Sequence, residues 1–346
     1  MGVGMRMEEK SYLDLKKEVW DKGLCSGCGA CIAVCPGDVL CFDLEDCTLN
    51  PRNTGYCKQA TDSVRCGACY AVCPRINPVT AAPIGEYLEI LAGQAAFEIP
   101  RKQSGGAVTA ILANALDEGL IDAVVTVTED RWTLRPSSVI LTSSGDLVQQ
   151  AGSRYSWWVP LLSALKTAVI DRKYRRIAVV GVPCVAQAVK QIRESDNDLL
   201  KPFARSIRLM IGLFCTESFD YRALIEERLV KKYHIEPWQI ERLDVKGKLD
   251  VRLTDGTVKS IPLAEIEDTV REGCHYCTDL TATTADISAG AIGSPSGFTT
   301  LIIRNPAGRA FVDSAVSHAR LVTNTDVDRD AIEKLARAKI NRNSPK

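Results

Sequence analysis

One run constrains this chain more than any other feature: Cys25-Ser-Gly-Cys28-Gly-Ala-Cys31-Ile-Ala-Val-Cys35-Pro36. Its C-x2-C-x2-C-x3-C-P spacing lets three thiolates reach three corners of one cubane from a glycine-permitted loop. The fourth, ahead of proline, turns toward a second [4Fe–4S] cluster. A second run, Cys66-Gly-Ala-Cys69-Tyr-Ala-Val-Cys73-Pro74, lacks its first cysteine, since Ser63 occupies that place. Cys57 is the nearest replacement and Cys47 the reserve. The expected ligand sets are therefore Cys25, Cys28, Cys31 and Cys73 on one cluster, and Cys35, Cys57, Cys66 and Cys69 on the other. Cys41 is left over and reads as a small apolar side chain.

Fourteen cysteines in 346 residues are too many to pass over, and ten of them fall between Cys25 and Cys73. A disulfide framework belongs to small exported domains, and MGVGMRMEEK lacks the order of a signal peptide. Metal binding is the better reading. Zinc is the alternative, but zinc motifs pair C-x2-C units without a third cysteine and a Cys-Pro ending. Lysine plus arginine equal aspartate plus glutamate at 43 each, which gives no footprint for nucleic acid. No apolar run has the length of a membrane span. The expected place is the cytoplasm, including its membrane face if partner subunits dock the chain there.

Beyond Cys73 the prolines of 75–83 read as a linker, and from about Glu86 short apolar runs alternate with amphipathic stretches. Helices are expected over Val108–Glu118, Trp158–Ile170, Val185–Glu194, Phe219–Tyr233 and Asp326–Ile340. Strands are expected over Ala123–Thr128, Val139–Thr142, Ile177–Gly181 and Ile207–Phe214, with turns at Gly119 and at Ser144-Gly145-Asp146. Leu249–Leu253 and Thr257–Ile261 flank Asp255-Gly256 as a hairpin. With no clean βαβ repeat, the pattern predicts an α+β chain: a two-cluster ferredoxin-like domain over 1–84, then a mixed β-sheet domain with packed helices over 85–325. A charged helix and tail would follow over 326–346, either solvated or docking a partner. No G-x-G-x-x-G follows a strand and no G-x4-G-K-[ST] is present, so neither a Rossmann site nor a P-loop is supported.

Four motifs mark the second half. Lys102-Gln103-Ser104-Gly105-Gly106-Ala107-Val108-Thr109 is a glycine-rich turn entering a helix, suited to dinucleotide phosphates and equally to an ordinary helix entry. Gly152-Ser153-Arg154-Tyr155 offers a phosphate-pairing arginine, with the flat rings of Trp157 and Trp158 after it. Cys184 and Cys215 follow expected strands, and Cys274-His275-Tyr276-Cys277-Thr-Asp279 leads to Asp286. Those four cysteines make a third complete ligand set, with zinc and structural thiols as the alternatives.

Together these motifs resemble the family of beta subunits of coenzyme F420-dependent hydrogenases and dehydrogenases, over roughly residues 20 to 325. The resemblance implies FAD as cofactor and the deazaflavin coenzyme F420 as substrate. It implies that Gln103, Ser104, Gly105, Gly106, Thr109, Ser153, Arg154 and Tyr155 contact FAD, and that Cys184, Cys215, Cys274 and Cys277 hold the cluster nearest it. Within the family the two-cluster head is most like the electron-input subunit of an F420H2:quinone or methanophenazine oxidoreductase complex. The expected reaction is oxidation of F420H2 by hydride transfer to FAD, with single electrons passed to other subunits of a redox complex, membrane-bound or not. The alternatives are the beta subunit of an F420-reducing hydrogenase or a formate dehydrogenase, a sulfite- or glutamate-linked reductase module, and a non-catalytic polyferredoxin relay. With only His234, His275 and His318, no catalytic dyad stands out, and His275 reads first as a solvent-facing loop residue.

Overall fold

The computed structural model describes residues 9–43, 49–79 and 82–344. Among them the largest sheet has eight strands: β1 Glu89–Ala95, β2 Ala123–Glu129, β3 Pro136–Leu141, β4 Ile177–Gly181, β5 Ile207–Leu213, β9 Ile287–Gly290, β10 Thr299–Ile303 and β11 Leu321–Asn324. A separate three-stranded sheet joins β6 Ile240–Val245, β7 Lys248–Leu253 and β8 Val258–Pro262. The spatial order of the large sheet is β11-β1-β10-β9-β5-β4-β2-β3. Its centre, β2-β4-β5-β9, is parallel, and both flanks are antiparallel. The mixed sheet is as expected. Within it a single βαβ unit, the crossover helix Pro183–Glu194 between β4 and β5, builds part of the parallel centre.

Both faces of this sheet are covered, which is why β4 reads as an uninterrupted apolar run, buried throughout. Ala178 and Val180 face the helices Ala107–Asp117 and Pro306–Ser317, while Val179 faces the helix Pro183–Glu194. The second face also takes Ala30, Ala33, Val34, Ala68, Ala71 and Val72 of the cysteine-rich head, packed with Leu162 and Leu165. Head and sheet thus share one core.

Inside the head, Gly29 and Gly67 take left-handed φ of 82° and 61° and start two matching four-residue helices, Ala30–Ala33 and Ala68–Ala71. Ser63, where the pattern asked for cysteine, is the left-handed residue (φ 56°) that ends the helix Lys58–Asp62. Cys57 stands at that helix's other end, as its N-cap.

Several elements differ from expectation for local reasons. The helix expected from Trp158 begins at Ser163, beyond Pro160, and continues to Asp171 in π-type hydrogen bonding. Ser144-Gly145-Asp146 opens a short helix, Ser144–Gln149, because the Ser143 side chain caps Asp146 N. Only Arg222–Lys232 of the long helix is helical, since Phe219–Asp220 pairs with Ser156–Trp157. The Asp255-Gly256 hairpin forms as expected, and β6 adds a charged, half-exposed third strand with little apolar signal. The last helix, Arg329–Asn343, is not solvated all round: Ile332, Ala336, Lys339 and Asn343 are buried. No helix of the described residues is long and apolar enough to cross a membrane.

Candidate metal centres and the adjoining cleft

The thirteen described cysteines are all free thiols. In the first head loop, Gly27 and Gly29 have positive φ, and a Cβ would lie 2.6 Å from Trp157 Nε1 or 2.5 Å from Pro160 Cβ. Glycine there lets the loop press against the sheet unit. Burial raises the thiol pKa values of this loop, Cys25 to about 11. Beyond burial, Cys31 feels the charges of Cys25, Cys28 and Cys73, and then of Cys69. Cys69, also raised by burial, feels Cys66, Cys35 and Cys57. These neighbours follow the two groupings expected from the spacing, with Cys57 near Cys69. Cys47 lies outside the described residues. Cys41 sits half-buried on the small Leu40–Cys41/Arg52–Asn53 ladder.

The third group assembles at the carboxyl edge of the parallel strands, where open α/β sheets generally place their ligands. Cys184 is the second residue of the helix after β4. That helix starts directly off the strand because Gly181 has no side chain, and a Cβ there would meet Val185 at 2.5 Å. Cys215 follows β5, with its amide donating to Leu280 O at 2.9 Å. Cys274 and Cys277 come from the turn Glu272–Tyr276, and Cys274 Sγ accepts from Ser218 N at 3.4 Å. Burial lifts Cys215 to about 12, and beyond it Cys274 and Cys277 are among its charged neighbours. Cys184, likewise raised by burial, has Cys28 of the head, Cys277 and Cys215 around it. The three groups therefore follow one another: the Cys184 group, the Cys25 group, then the Cys35 group.

Thiols packed this way repel one another once ionised, and they accept a sulfur-ligated metal without rebuilding the chain. The donor set fits thiolate-bound iron–sulfur clusters. Among the described residues, no set of three or more Cys, His, Asp or Glu side chains closes around a single ion.

Residues the sequence did not single out hold these loops in place. Arg75, next after Cys73-Pro74, donates to Leu24 O at 3.1 Å and to Gly273 O at 2.7 Å, clamping the first loop to the third group. Lys166 Nζ donates to Cys35 O at 2.7 Å, and Asn197 Nδ2 to Cys66 O at 2.6 Å. Lys339 Nζ donates to Cys215 O at 2.6 Å and Asp279 O at 2.8 Å, and Asn343 Nδ2 to Cys277 O at 2.7 Å. Lys166, Asn197, Lys339 and Asn343 were concealed by their distance along the chain from any cysteine motif, whereas Arg75 directly follows Cys73-Pro74. Asp286 is structural: it pairs with Arg193 at 2.9 Å and accepts from Met210 N at 2.7 Å. His275 is exposed.

Of the expected flavin contacts, Gln103, Ser153 and Tyr155 meet, while Ser104, Gly105, Gly106 and Thr109 stay at the helix entry outside the cleft lining. Gln103 Oε1 accepts from Ser153 N at 2.9 Å, and its Nε2 donates to Leu243 O at 2.8 Å and toward Tyr155 Oη at 3.3 Å. Gly105 N donates to Thr299 Oγ1 at 3.0 Å, so that donor is taken within the fold. Gly106, at φ 71°, starts the helix Ala107–Asp117, which carries Thr109 in its first turn; Ser104 has φ 53°. Ser153, Arg154 and Tyr155 line an open cleft with Arg101, Glu129 and Arg242. Arg154 is largely buried, its Nε 3.7 Å from Glu129, and desolvation lowers the arginine's pKa and raises the glutamate's. The two tryptophans point elsewhere. Trp157 donates to Gly27 O at 2.9 Å and stacks on Arg271, while Trp158 packs edge-on against Tyr221. Their rings secure the head and the small sheet rather than lining the cleft.

A ferredoxin-type head on a mixed α+β sheet defines an iron–sulfur redox subunit, and the comparisons with known proteins name the family. Residues 18–41 match a 4Fe-4S binding domain, residues 90–166 the N-terminal part and residues 174–329 the C-terminal part of the coenzyme F420 hydrogenase/dehydrogenase beta subunit. This chain belongs to that family of oxidoreductase subunits. It is 43% identical to an uncharacterized protein of Methanocaldococcus jannaschii, over 95% of this chain and 97% of that one. It is 32% identical to one of the subunits of the F420H2 dehydrogenase of Methanosarcina mazei, over 93% and 91%. Its fold resembles a chain of the F420-reducing [NiFe] hydrogenase complex from Methanosarcina barkeri, with a TM-score of 0.71 and 28% identity over 77% of this chain and 92% of that one.

Proposed function

We propose that this chain oxidises reduced coenzyme F420 at an FAD in the Arg154 cleft and passes single electrons through [4Fe–4S] clusters to a partner subunit. The observation that carries the reading is the succession of three thiol groups from the sheet edge outward, beginning with Cys184, Cys215, Cys274 and Cys277. A bound flavin takes hydride as an electron pair and releases electrons one at a time, and a cluster carries them singly. The chain's own part is placement. Arg101, Arg154 and Arg242 present positive charge to anionic phosphates, while Gln103 ties the helix-entry turn to Ser153 and fixes the cleft wall. Arg75 and Leu162 N, which donates to Cys28 O at 3.1 Å, hold the successive thiol groups in register.

In this reading residues 1–84 carry two clusters and 85–325 carry the flavin, the substrate and the third. Residues 326–346 belong with the catalytic part, because Lys339 and Asn343 bind the backbone of the third group. The likeness to the Methanosarcina mazei dehydrogenase subunit favours oxidation of F420H2; the acceptor in this proposal is a quinone- or methanophenazine-reducing membrane complex. A second reading keeps the donor and changes the acceptor. The chain is 33% identical to a coenzyme F420-dependent sulfite reductase of Methanocaldococcus jannaschii, over 94% of this chain and 50% of that one, and there the remaining half is one polypeptide with the matched part.

The test is anaerobic purification with iron, sulfide and flavin analysis, followed by F420H2 oxidation with a dye acceptor. About twelve irons and one FAD with turnover support the proposal. Stoichiometric FAD without turnover removes the substrate, and about eight irons without flavin leaves only a relay.

A further inference from the structure

Two cations are buried against the third thiol group. Arg271 is 2% exposed and Lys339 is 4% exposed. Arg271 Nη2 donates to Leu49 O at 3.1 Å, and its guanidinium stacks 3.7 Å over the Trp157 ring. Its Nε and Nη1 are buried with no hydrogen-bond partner among the described residues. Lys339 Nζ spends its hydrogen bonds on the carbonyls of Cys215 and Asp279, and the Asp279 carboxylate is the one fixed acid that acts on it. Burying a charge costs several kcal/mol unless it is paired; Asp220 acts on Arg271 and Asp279 on Lys339, and the thiols that flank both cations would add further negative charge once they carry a cluster. Cys274 lies one turn beyond Arg271, its amide donating to Arg271 O at 2.9 Å. On its other side Arg271 meets the head: a Cβ on Gly27 would lie 2.8 Å from Arg271 Nη2, and one on Gly273 2.1 Å from Cys25 O.

We propose that Arg271 and Lys339 are the buried counter-charges of the Cys184/Cys215/Cys274/Cys277 cluster, that they hold its reduction potential up, and that Arg271, together with the half-buried Arg75, does the same for the neighbouring Cys25/Cys28/Cys31/Cys73 cluster. The proposal rests on these thiols carrying clusters. Adding an electron makes a thiolate-ligated cluster more negative, so a fixed nearby cation favours the reduced state. The charges around Lys339 agree: burial lowers its pKa, yet Cys215, Cys277 and Asp279 raise it overall above an ordinary lysine's. The placement gives the two cations different reach. Lys339 comes from the last helix and serves the inner group, while Arg271 stands between two groups and levels the electron's step across them.

The experiment is an EPR-monitored redox titration of the full-length, cluster-loaded protein. Wild-type protein without iron would refute the cluster reading itself, a separate failure from that of the inference. With iron present, Arg271→Gln and Lys339→Gln are each expected to cut the reduced fraction of the inner cluster about tenfold at fixed potential, about 59 mV for one electron. Arg271→Gln also lowers the second couple, Lys339→Gln does not, and Arg271→Lys and Lys339→Arg stay close to wild type. Neutral variants with full iron and wild-type potentials overturn the proposal. If a neutral variant loses iron, the charge-keeping swaps decide. Full iron in them supports a counter-charge, and loss of iron from them as well shows that shape rather than charge was needed.

Discussion

Strands β4 and β5 run parallel in the middle of the sheet, packed on both faces, and their backbone amides are consumed by neighbouring strands. The head, by contrast, has among its described residues only short pieces: the helical stretch of residues 12–20, the helices Ala30–Ala33, Lys58–Asp62 and Ala68–Ala71, and a ladder of two-residue strands. Its private core gathers Leu15, Val19, Trp20, Leu40 and Tyr70 around Cys35 and Cys73, and much of its remaining apolar surface is spent on the sheet unit. The sheet can hold itself by burial. The head is too small for that, and metal ligation supplies the missing stability in such units.

The largest expected effect follows from that contrast. Anaerobic chelation of iron should abolish protection from hydrogen exchange across Cys25–Cys73 while β4 and β5 stay protected. Equal protection in the iron-free head would show that docking on the sheet suffices, and the contrast would fail. Next in size, Cys57→Ala should remove about four irons per chain by breaking the group with Cys35, Cys66 and Cys69. Full iron in that variant would move the eighth ligand elsewhere.

Leu162 probes the seam, being fully buried where the sheet unit meets the head. Leu162→Ala should cost about 2–5 kcal/mol in chemical denaturation of the loaded protein. If head and sheet are one cooperative body, their probes will unfold together. Smaller again is Arg154→Ala, expected to weaken flavin binding by about ten- to hundredfold, the value of one charge-assisted hydrogen bond. Unchanged flavin affinity would move the cofactor out of the cleft.

The same contrast explains what the sequence revealed. Ligand spacing is a local property, so both head runs and the Cys274/Cys277 pair could be read directly from the chain. Cys184 and Cys215 were legible because each follows an apolar strand. The stretches Gln103–Thr109 and Ser153–Tyr155 could be marked, but that Gln103 bonds Ser153 N is a tertiary fact. Trp157 misled, because a ring beside an arginine motif looks like a ligand platform until the fold shows it stacked on Arg271. Arg271 and Lys339 could not be read, since a buried cation differs from a surface one only by what surrounds it, and the half-buried Arg75 shows its partners Leu24 O and Gly273 O only in the fold. The parallel centre of the sheet was hidden similarly, because β9 reaches β5 only after the small sheet and the third ligand turn have been threaded between them.

The smallest effect is the most selective check on how the head is built. Cys41 is half-buried on the Leu40–Cys41 ladder, three residues beyond Asp38, whose carboxylate pairs with Lys166. If its sulfur is only a small apolar filler, Cys41→Ala removes one buried atom at a cost of about 1 kcal/mol or less. Iron content and EPR signal should then match wild type, in contrast to Cys57→Ala on the same assay. Loss of iron from the Cys41 variant would mean that the second group draws a ligand from this ladder when metal binds. The head would then be reshaped by its clusters, whereas the sheet edge around Cys184 and Cys215 is set by strand pairing before any metal arrives.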